Sequence, residues 1–345
     1  MRVEEKIKSQ ILSNKKEMRL DKFISHALFN KDGYYYNKKP IGLKYDFITS
    51  PEISQMFGEI IGTYLFYMWQ KKINSRFNFI ELGPGKGTLF KDIVNTVSNF
   101  SSFLTQAKIK FVEINEELIK IQKNTISKYK FKDVKWYKNI NFRSNAPSII
   151  YSNEFFDCFP VRQFVLNKMW YEKYVDFNQK EEKFYFKDKI VTNKNLLNLL
   201  NFYKKERLLE VSFERNKYFE KICKLVKKNG GLFLTVDYGY VKSIANFTLQ
   251  AIQNHKFSHV LENVGEKDIS SHVNFDELIK IAKKNNLRIE EFTSQRIFLT
   301  KYGIIERNKR LSNKDNHKTI DNELNKLIDK KNMGNLFKIL VVSSF

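Results

Sequence analysis

The chain has 345 residues, 42% of them hydrophobic, enough for one large α/β domain with additions or two modest domains, and for a substantial core either way. Two cysteines, Cys158 and Cys223, exclude a disulfide framework or a cysteine-built zinc cluster, and no apolar run reaches the length of a membrane span. The formal charge of +23 is compatible with nucleic acid, an anionic membrane or an acidic protein, but the lysines are scattered among abundant Asn, Ile, Phe and Tyr. That is the bias of an AT-rich genome, so nucleic acid is a possible partner and not the favoured one.

The N-terminal stretch MRVEEKIKSQILSNKKEMRL lacks a secretory apolar segment and carries Glu4, Glu5 and Glu17, which argue against a transit peptide. A bacterial cytoplasmic location is expected. Helical spacing over Ile7 to Leu12 and Leu20 to Phe29 predicts two opening helices, and Asp32-Gly33 marks a turn before Tyr34, Tyr35 and Tyr36. Within Lys44 to Gln70, Ser50 before Pro51 reads as the N-cap of a helix whose apolar face is Ile53, Phe57, Ile60, Ile61 and Tyr64. Thr49 to Glu52 at that helix start either covers a bound ligand or simply caps a core helix.

The chain is organised around Phe77 to Gly87, FNFIELGPGKG, a short apolar run ending in Glu81 and followed by Gly83, Gly85 and Gly87. Helical spacing resumes at Thr88 to Val97, so this is a buried strand, a tight glycine turn and a helix. In a doubly wound sheet such a turn lies at the carboxyl ends of the strands, where missing side chains let a ligand approach the backbone and the helix N-terminus. A dinucleotide fingerprint needs a third glycine where Thr88 stands, and a P-loop needs a Gly-Lys-Ser/Thr ending. The pattern present is Glu-x-Gly-x-Gly-x-Gly. Glu81 would repel a pyrophosphate but can meet an ammonium or sulfonium group, which favours S-adenosylmethionine over NAD.

Lys108 to Glu113 reads as a second strand ending in an acid, placed where a carboxylate hydrogen-bonds the ribose hydroxyls of an adenosine ligand. Asn115 to Tyr129 is helical and Val134 to Tyr137 a third strand. In SIIYSNEFFDCFPVRQFV, Ile149 to Tyr151 forms a fourth strand, with Asn153, Glu154 and Asp157 following at its rim. Two carboxylates among Phe155, Phe156 and Phe159 suit a cation in a partly dry slot, because carboxylates accept a guanidinium fork while aromatic faces stack on it. The alternative is that one carboxylate caps the next turn; at least two of the three phenylalanines are expected in the core.

Met169 to Ile190 alternates aromatic and charged residues around a polar middle, the pattern of a β-hairpin insertion. Glu214 to Lys228 is helical, Asn229, Gly230 and Gly231 end it, and Leu232 to Gly239 is a fifth strand carrying Asp237. His255, His259, Asp268 and His272 match no standard metal-ligand spacing, so hydrogen-bonding or anchoring roles are favoured and no metal is expected. Phe275 to Asn285 is a helix and Arg288 to Phe292 a strand. Glu306 to Lys318 is highly charged and expected to be solvated or mobile, and Lys338 to Val342 supplies a returning edge strand.

The runs DFITSPEISQMFGE, IELGPGKGTL, FVEIN, NEFFDCFPVRQF, VDYG, GEKDISSHVNF, SQRIFL and MGNLFK occur in the order seen in the MidA family, which the chain resembles from about Asp32 to its C-terminus. These are class I methyltransferases whose mitochondrial members resemble arginine methyltransferases and help assemble respiratory complex I. Tyr45-Asp46-Phe47 stands where members usually have Gly-Asp-Phe, and Cys158 where alanine is common. The resemblance implies a Rossmann-like α/β fold, with a seven-stranded, mostly parallel sheet and helices on both faces. Residues 1–75 would be an N-terminal helical cap and 76–345 the methyltransferase domain, with the insertion at about 166–213. It also implies S-adenosyl-L-methionine as donor and symmetric dimethylation of an arginine on a complex I hydrophilic-arm subunit, in the mitochondrial matrix if the source is eukaryotic. Glu81, Gly83, Pro84, Gly85, Gly87 and Glu113 would bind the cofactor, and Thr49, Pro51 and Glu52 would lie over it. Asn153, Glu154 and Asp157 would face the substrate. The rival expectations are an RNA or small-molecule methyltransferase and a non-catalytic assembly chaperone.

Overall fold

The computed structural model describes residues 2–37, 49–98, 100–129, 131–253 and 256–345; Tyr45-Asp46-Phe47 and His255 lie outside them. Seven strands make the central path: β1 (Phe77–Leu82), β2 (Ala107–Val112), β3 (Val134–Tyr137), β4 (Ser148–Asn153), β5 (Gly231–Tyr240), β6 (Arg288–Ser294) and β7 (Phe337–Ser343). Their order across the sheet is β6-β7-β5-β4-β1-β2-β3, and a two-residue strand, Val273–Asn274, pairs in parallel with the end of β5. The five strands from β5 to β3 are parallel. β7 runs antiparallel between β5 and β6, so it is an interior strand and not the edge expected from sequence; β6 is the edge. Its near-continuous burial fits that place, because a strand covered on both faces has no solvent side.

The same logic fixes the helical layers. All six residues of β1 are buried, Phe77 and Phe79 toward one core and Ile80 and Leu82 toward the other, as a period of two requires. On the first face pack the helices Gln55–Lys72 and Thr88–Val97, through Phe57, Ile61, Tyr64, Phe90 and Ile93. On the second pack Phe213–Asn229 and Phe275–Lys284, through Phe219, Ile222, Phe275 and Leu278.

The helix expected to begin at Ser50 is two pieces. Ser50–Ile53 is a single turn preceded by Thr49, and Ser54 is extended (φ −155°, ψ 139°). The Ser54 hydroxyl accepts from the Met56 N–H, so Ser54 is the N-cap of the long helix and Ser50 is not.

The alternating stretch is a hairpin, Met169–Asn178 with Lys183–Ile190. Together with Arg162–Asn167, Leu208–Val211 and Met18–Arg19 it forms a second, five-stranded sheet. Helices Val3–Asn14 and Leu20–Phe29 pack on that sheet, placing Val3, Ile7 and Phe23 with Val175, Phe177 and Phe184. A division of the chain at residue 75 therefore cuts across the packing. Residues 3–29 go with the insertion, whereas 55–72 are a layer of the central sheet. Three short strands, Gln250–Gln253, Lys256–Ser258 and Asp268–Ser270, form a third sheet that no periodicity signalled.

The charged segment from Glu306 is largely exposed, as expected, but much of it is helical. Ile304–Leu311 is a helix with Ile304 and Asn308 buried, and a further helix begins at His317. Arg307 donates through Nε and Nη2 to the two carboxylate oxygens of Glu59, both at 2.6 Å, which ties this helix to Gln55–Lys72. Among the described residues no helix is long and apolar enough to cross a membrane.

Candidate active site

The glycine turn leaves β1 with Gly83, Gly85 and Gly87 at φ +60°, +56° and +81°, the left-handed region that favours glycine. Gly83 also has a neighbour to satisfy: a Cβ there would stand 2.9 Å from the Phe155 ring. The Gly83 N–H donates to the Val112 carbonyl (2.9 Å) and the Gly87 N–H to that of Pro84 (2.8 Å), closing the turn onto β2 and itself. Above the carboxyl ends of β1, β2 and β4 lies a cavity of about 300 Å³. Gly83, Pro84 and Gly85 line it, whereas Gly87 is set back as the residue preceding helix Thr88–Val97.

Two acids close the strand ends. Glu81 accepts from the Tyr151 hydroxyl (3.1 Å), and burial, only partly offset by that bond, pushes its carboxyl up to about 8. Glu113 accepts from the backbone N–H groups of Ile114 (2.8 Å) and Asn115 (2.9 Å) through Oε1, and from Gln122 Nε2 (3.2 Å) through Oε2. Burial pushes Glu113 to about 7 against those donors. Both acids line the cavity. A cation arriving beside Glu81 would draw that carboxyl back to its ionised form.

The turn Ser50–Ile53 reaches both halves of the site. Glu52 accepts from the Thr88 hydroxyl and from Lys86 Nζ (3.3 Å), fixing the turn to the start of the glycine-turn helix. The Ser50 N–H donates to Glu154 Oε1 (3.3 Å), and the Ser50 hydroxyl to Gln295 Oε1 (3.4 Å). Thr49, Pro51 and Glu52 all line the cavity.

At the end of β4, Glu154 takes a left-handed backbone (φ +49°) with its N–H on the Val236 carbonyl (2.8 Å). The next two N–H groups, of Phe155 (3.2 Å) and Phe156 (2.8 Å), both donate to Asp237 Oδ2, so a buried acid on β5 holds the unusual turn. Asn153 Nδ2 donates to Glu154 Oε1 (2.9 Å), and Asn153 Oδ1 is a buried acceptor with no partner among the described residues. Two donors thus converge on Glu154 Oε1. Burial, then the charge of Asp157, pushes Glu154 up to about 8. Asn153 and Glu154 line the cavity, but Asp157 stands behind them. Its Oδ2 accepts from the Tyr238 hydroxyl (2.6 Å), and burial raises it.

Of the three phenylalanines only Phe156 is fully buried. Phe155 and Phe159 are half-buried and form cavity wall with Tyr218. Arg215, itself buried, donates to the Phe156 and His272 carbonyls and to the Ser271 hydroxyl (2.8, 3.3 and 3.0 Å). The histidine-rich segment anchors loops. The His259 ring accepts from the Leu261 N–H (3.4 Å), His272 packs edge-on to Tyr238, and Asp268 accepts from the Tyr35 hydroxyl (2.8 Å).

Sequence reasoning missed Tyr35 on the cavity wall, and it missed Thr88, Lys86 and Gln122. Gln122 carried a signal: it follows Leu118 by four and precedes Ile126 by four, a polar residue on the buried stripe of its helix. The cavity suits a nucleoside bearing a cationic tail, with bare backbone at the glycine turn, an acid at each of two adjacent strand ends, and room of the usual scale for a small ligand.

Known proteins are similar to this chain in sequence and in fold. A family model described as "Putative S-adenosyl-L-methionine-dependent methyltransferase" matches residues 60–293. The chain is similar to the human mitochondrial protein arginine methyltransferase NDUFAF7, 29% identical over 341 residues, 90% of this chain and 76% of that one. The Danio rerio protein of the same name is 30% identical over 301 residues, 80% and 70% of the two chains. In fold it is similar to a crystal structure from Burkholderia thailandensis described as a "likely methyl transferase" bound to S-adenosyl-homocysteine. The TM-score is 0.87 at 20% identity, covering 99% of this chain and 91% of that one.

Proposed function

The chain belongs to this family of S-adenosyl-L-methionine-dependent methyltransferases, and from that premise we propose that it methylates an arginine of a protein. The finer reading is symmetric dimethylation of a complex I hydrophilic-arm subunit, in whichever compartment, bacterial cytoplasm or mitochondrial matrix, that subunit is assembled. The observation that carries the arginine reading is the half-buried Asn153-Glu154 pair beside the aromatic wall of Phe155, Phe159 and Tyr218. The names of the NDUFAF7 relatives support the same substrate class.

The cofactor supplies a methyl group on a sulfonium, an electrophile that needs an aligned nucleophile. The chain's residues supply the rest. Glu81 and Glu113 would hold the cationic tail and the ribose hydroxyls, and Thr49, Pro51 and Glu52 would cover them. A guanidinium is a poor nucleophile because its charge is delocalised over three nitrogens. Glu154 Oε1 is already held by Ser50 and Asn153, which leaves Oε2 to receive a guanidinium N–H, draw the charge toward itself and take up the released proton. Asn153 Oδ1 would accept a further N–H, and the aromatic wall would stack on the planar group. Asp157, bound to Tyr238, acts through its charge on Glu154 and not as a direct ligand.

With Glu81 and Glu113 given to the cofactor, Glu154 is the acid left toward the substrate, which suits a cationic acceptor better than a nucleic acid. The test is peptide mass analysis of a candidate complex I subunit after incubation with this protein and labelled S-adenosylmethionine. Label on an arginine is expected. Label on nucleic acid, or tight binding of the subunit without any methylation, would overturn the reading.

A further inference from the structure

We propose that Gln122 is a positioning residue for the cofactor, a single buried amide that locks the glycine turn to the acid expected to hold the ribose. Gln122 is fully buried on helix Glu116–Ile126, and all its polar atoms are used across three elements. Its Nε2 donates to the Gly85 carbonyl at 2.7 Å and to Glu113 Oε2 at 3.2 Å. Its Oε1 accepts from the indole Nε1 of Trp136, on β3, at 2.9 Å.

The indole therefore decides which way the amide points. An indole N–H can only donate, so it fixes the carbonyl end of Gln122 toward β3 and the NH₂ end toward the site. The two hydrogens of that NH₂ then reach the backbone carbonyl at the middle of the glycine turn and the carboxylate at the end of β2. Gly85 and Glu113 both line the cavity. Neither would hold its place alone. Gly85 has a left-handed backbone with no side chain to brace it, and the Glu113 carboxyl needs donors to stay ionised in a buried setting. A second side chain on the same helix adds to this, since the Thr125 hydroxyl donates to the Lys86 carbonyl at 3.0 Å. Helix Glu116–Ile126 thus serves as a brace for the turn, and Gln122 is the part of it that also reaches Glu113.

The test is calorimetric titration of the full chain with S-adenosylhomocysteine, which requires no methyl acceptor. Gln122→Met keeps the volume and removes both donors, and should weaken binding on the order of tenfold, as the loss of one buried hydrogen-bonded group would. Trp136→Phe keeps a ring on β3 but frees the amide to rotate, and should weaken binding in the same direction by less. If Trp136 acts only through Gln122, the double variant binds no worse than Gln122→Met. The KM for S-adenosylmethionine should rise in step with the loss of binding in both single variants. Gln122→Met binding within twofold of wild type, or losses from the two single variants that simply add, would overturn the proposal. Should Gln122→Met fail to fold, unchanged binding by Trp136→Phe overturns it and weakened binding upholds it.

Discussion

At the scale of single residues the account turns on acids that burial holds above their ordinary range. Glu154 in the free protein is pushed up to about 8, so at neutral pH most molecules carry a neutral carboxyl that can neither pair with a guanidinium nor take its proton. Because kcat/KM reports groups of the free enzyme, it should rise about tenfold per pH unit below about 8 and level off above it. A rate profile measured from pH 6 to 9.5 checks this, and a flat profile would separate Glu154 from the chemistry. Glu81 has a consequence for stability. A carboxyl at about 8 when folded, against an ordinary value of 4.5, binds its proton more tightly in the folded chain. Its contribution is fully present below about pH 4.5 and is lost as pH rises toward 8. Half-buried His26 and His272, both lowered by partial burial, act in the opposite sense at lower pH, so the comparison must be between variants. Denaturant titrations should show Glu81→Gln gaining stability relative to wild type between pH 5 and 8. Much of this was legible in the sequence, since an acid ending an apolar run before glycines specifies a strand end. That Asp157 lies behind Glu154 was not legible, because Tyr238, which turns its carboxylate away, is 81 residues distant.

At the scale of elements, the turn Ser50–Ile53 is the part that belongs to both halves of the site. The sequence showed a cap and a proline but no break, because Ser54 reads as readily inside a helix start as before one. Only the observed extended backbone at Ser54 separates the turn from the long helix. Separation matters, since it lets Glu52 reach Thr88 and Lys86 while the Ser50 N–H faces Glu154. Glu52→Ala removes the link to the glycine-turn helix. Cofactor affinity should fall about fivefold to tenfold in calorimetry, with melting temperature changed little, as expected for two partly exposed hydrogen bonds. The placement of β7 shows another limit of sequence reading. An apolar run predicts a strand covered on both faces, but whether it enters the sheet or ends it depends on pairing partners that periodicity does not encode.

At the scale of the whole molecule the central sheet, with a core on each face, and the N-terminal helices packed on the insertion meet over one cavity. The central sheet supplies the glycine turn and the acids, and the N-terminal helices with the insertion supply Phe29 and Tyr35 on the opposite wall. Asn115 Nδ2 donates to the Tyr35 carbonyl (2.8 Å), so the N-terminal segment is bonded to the residues just beyond β2. Phe23, fully buried against Phe184, is central to the core between the N-terminal helices and the insertion. Phe23→Ala should cost about 3 to 5 kcal/mol, read as a shift in the denaturant midpoint. The grouping of residues 3–29 with the insertion was invisible to sequence because Met18 and Val175 pair across 157 positions. The central sheet, whose turn, strand and helix are neighbours in the chain, was legible strand by strand, its mostly parallel character came with the family resemblance, and its strand order was not read.

The most direct test of the central claim is single-turnover transfer from labelled S-adenosylmethionine to a complex I hydrophilic-arm subunit, run in parallel with wild type and Glu154→Gln. The account predicts label on arginine with wild type and a loss of roughly 100-fold or more in the variant, with cofactor affinity unchanged. Equal transfer by the two proteins would contradict it.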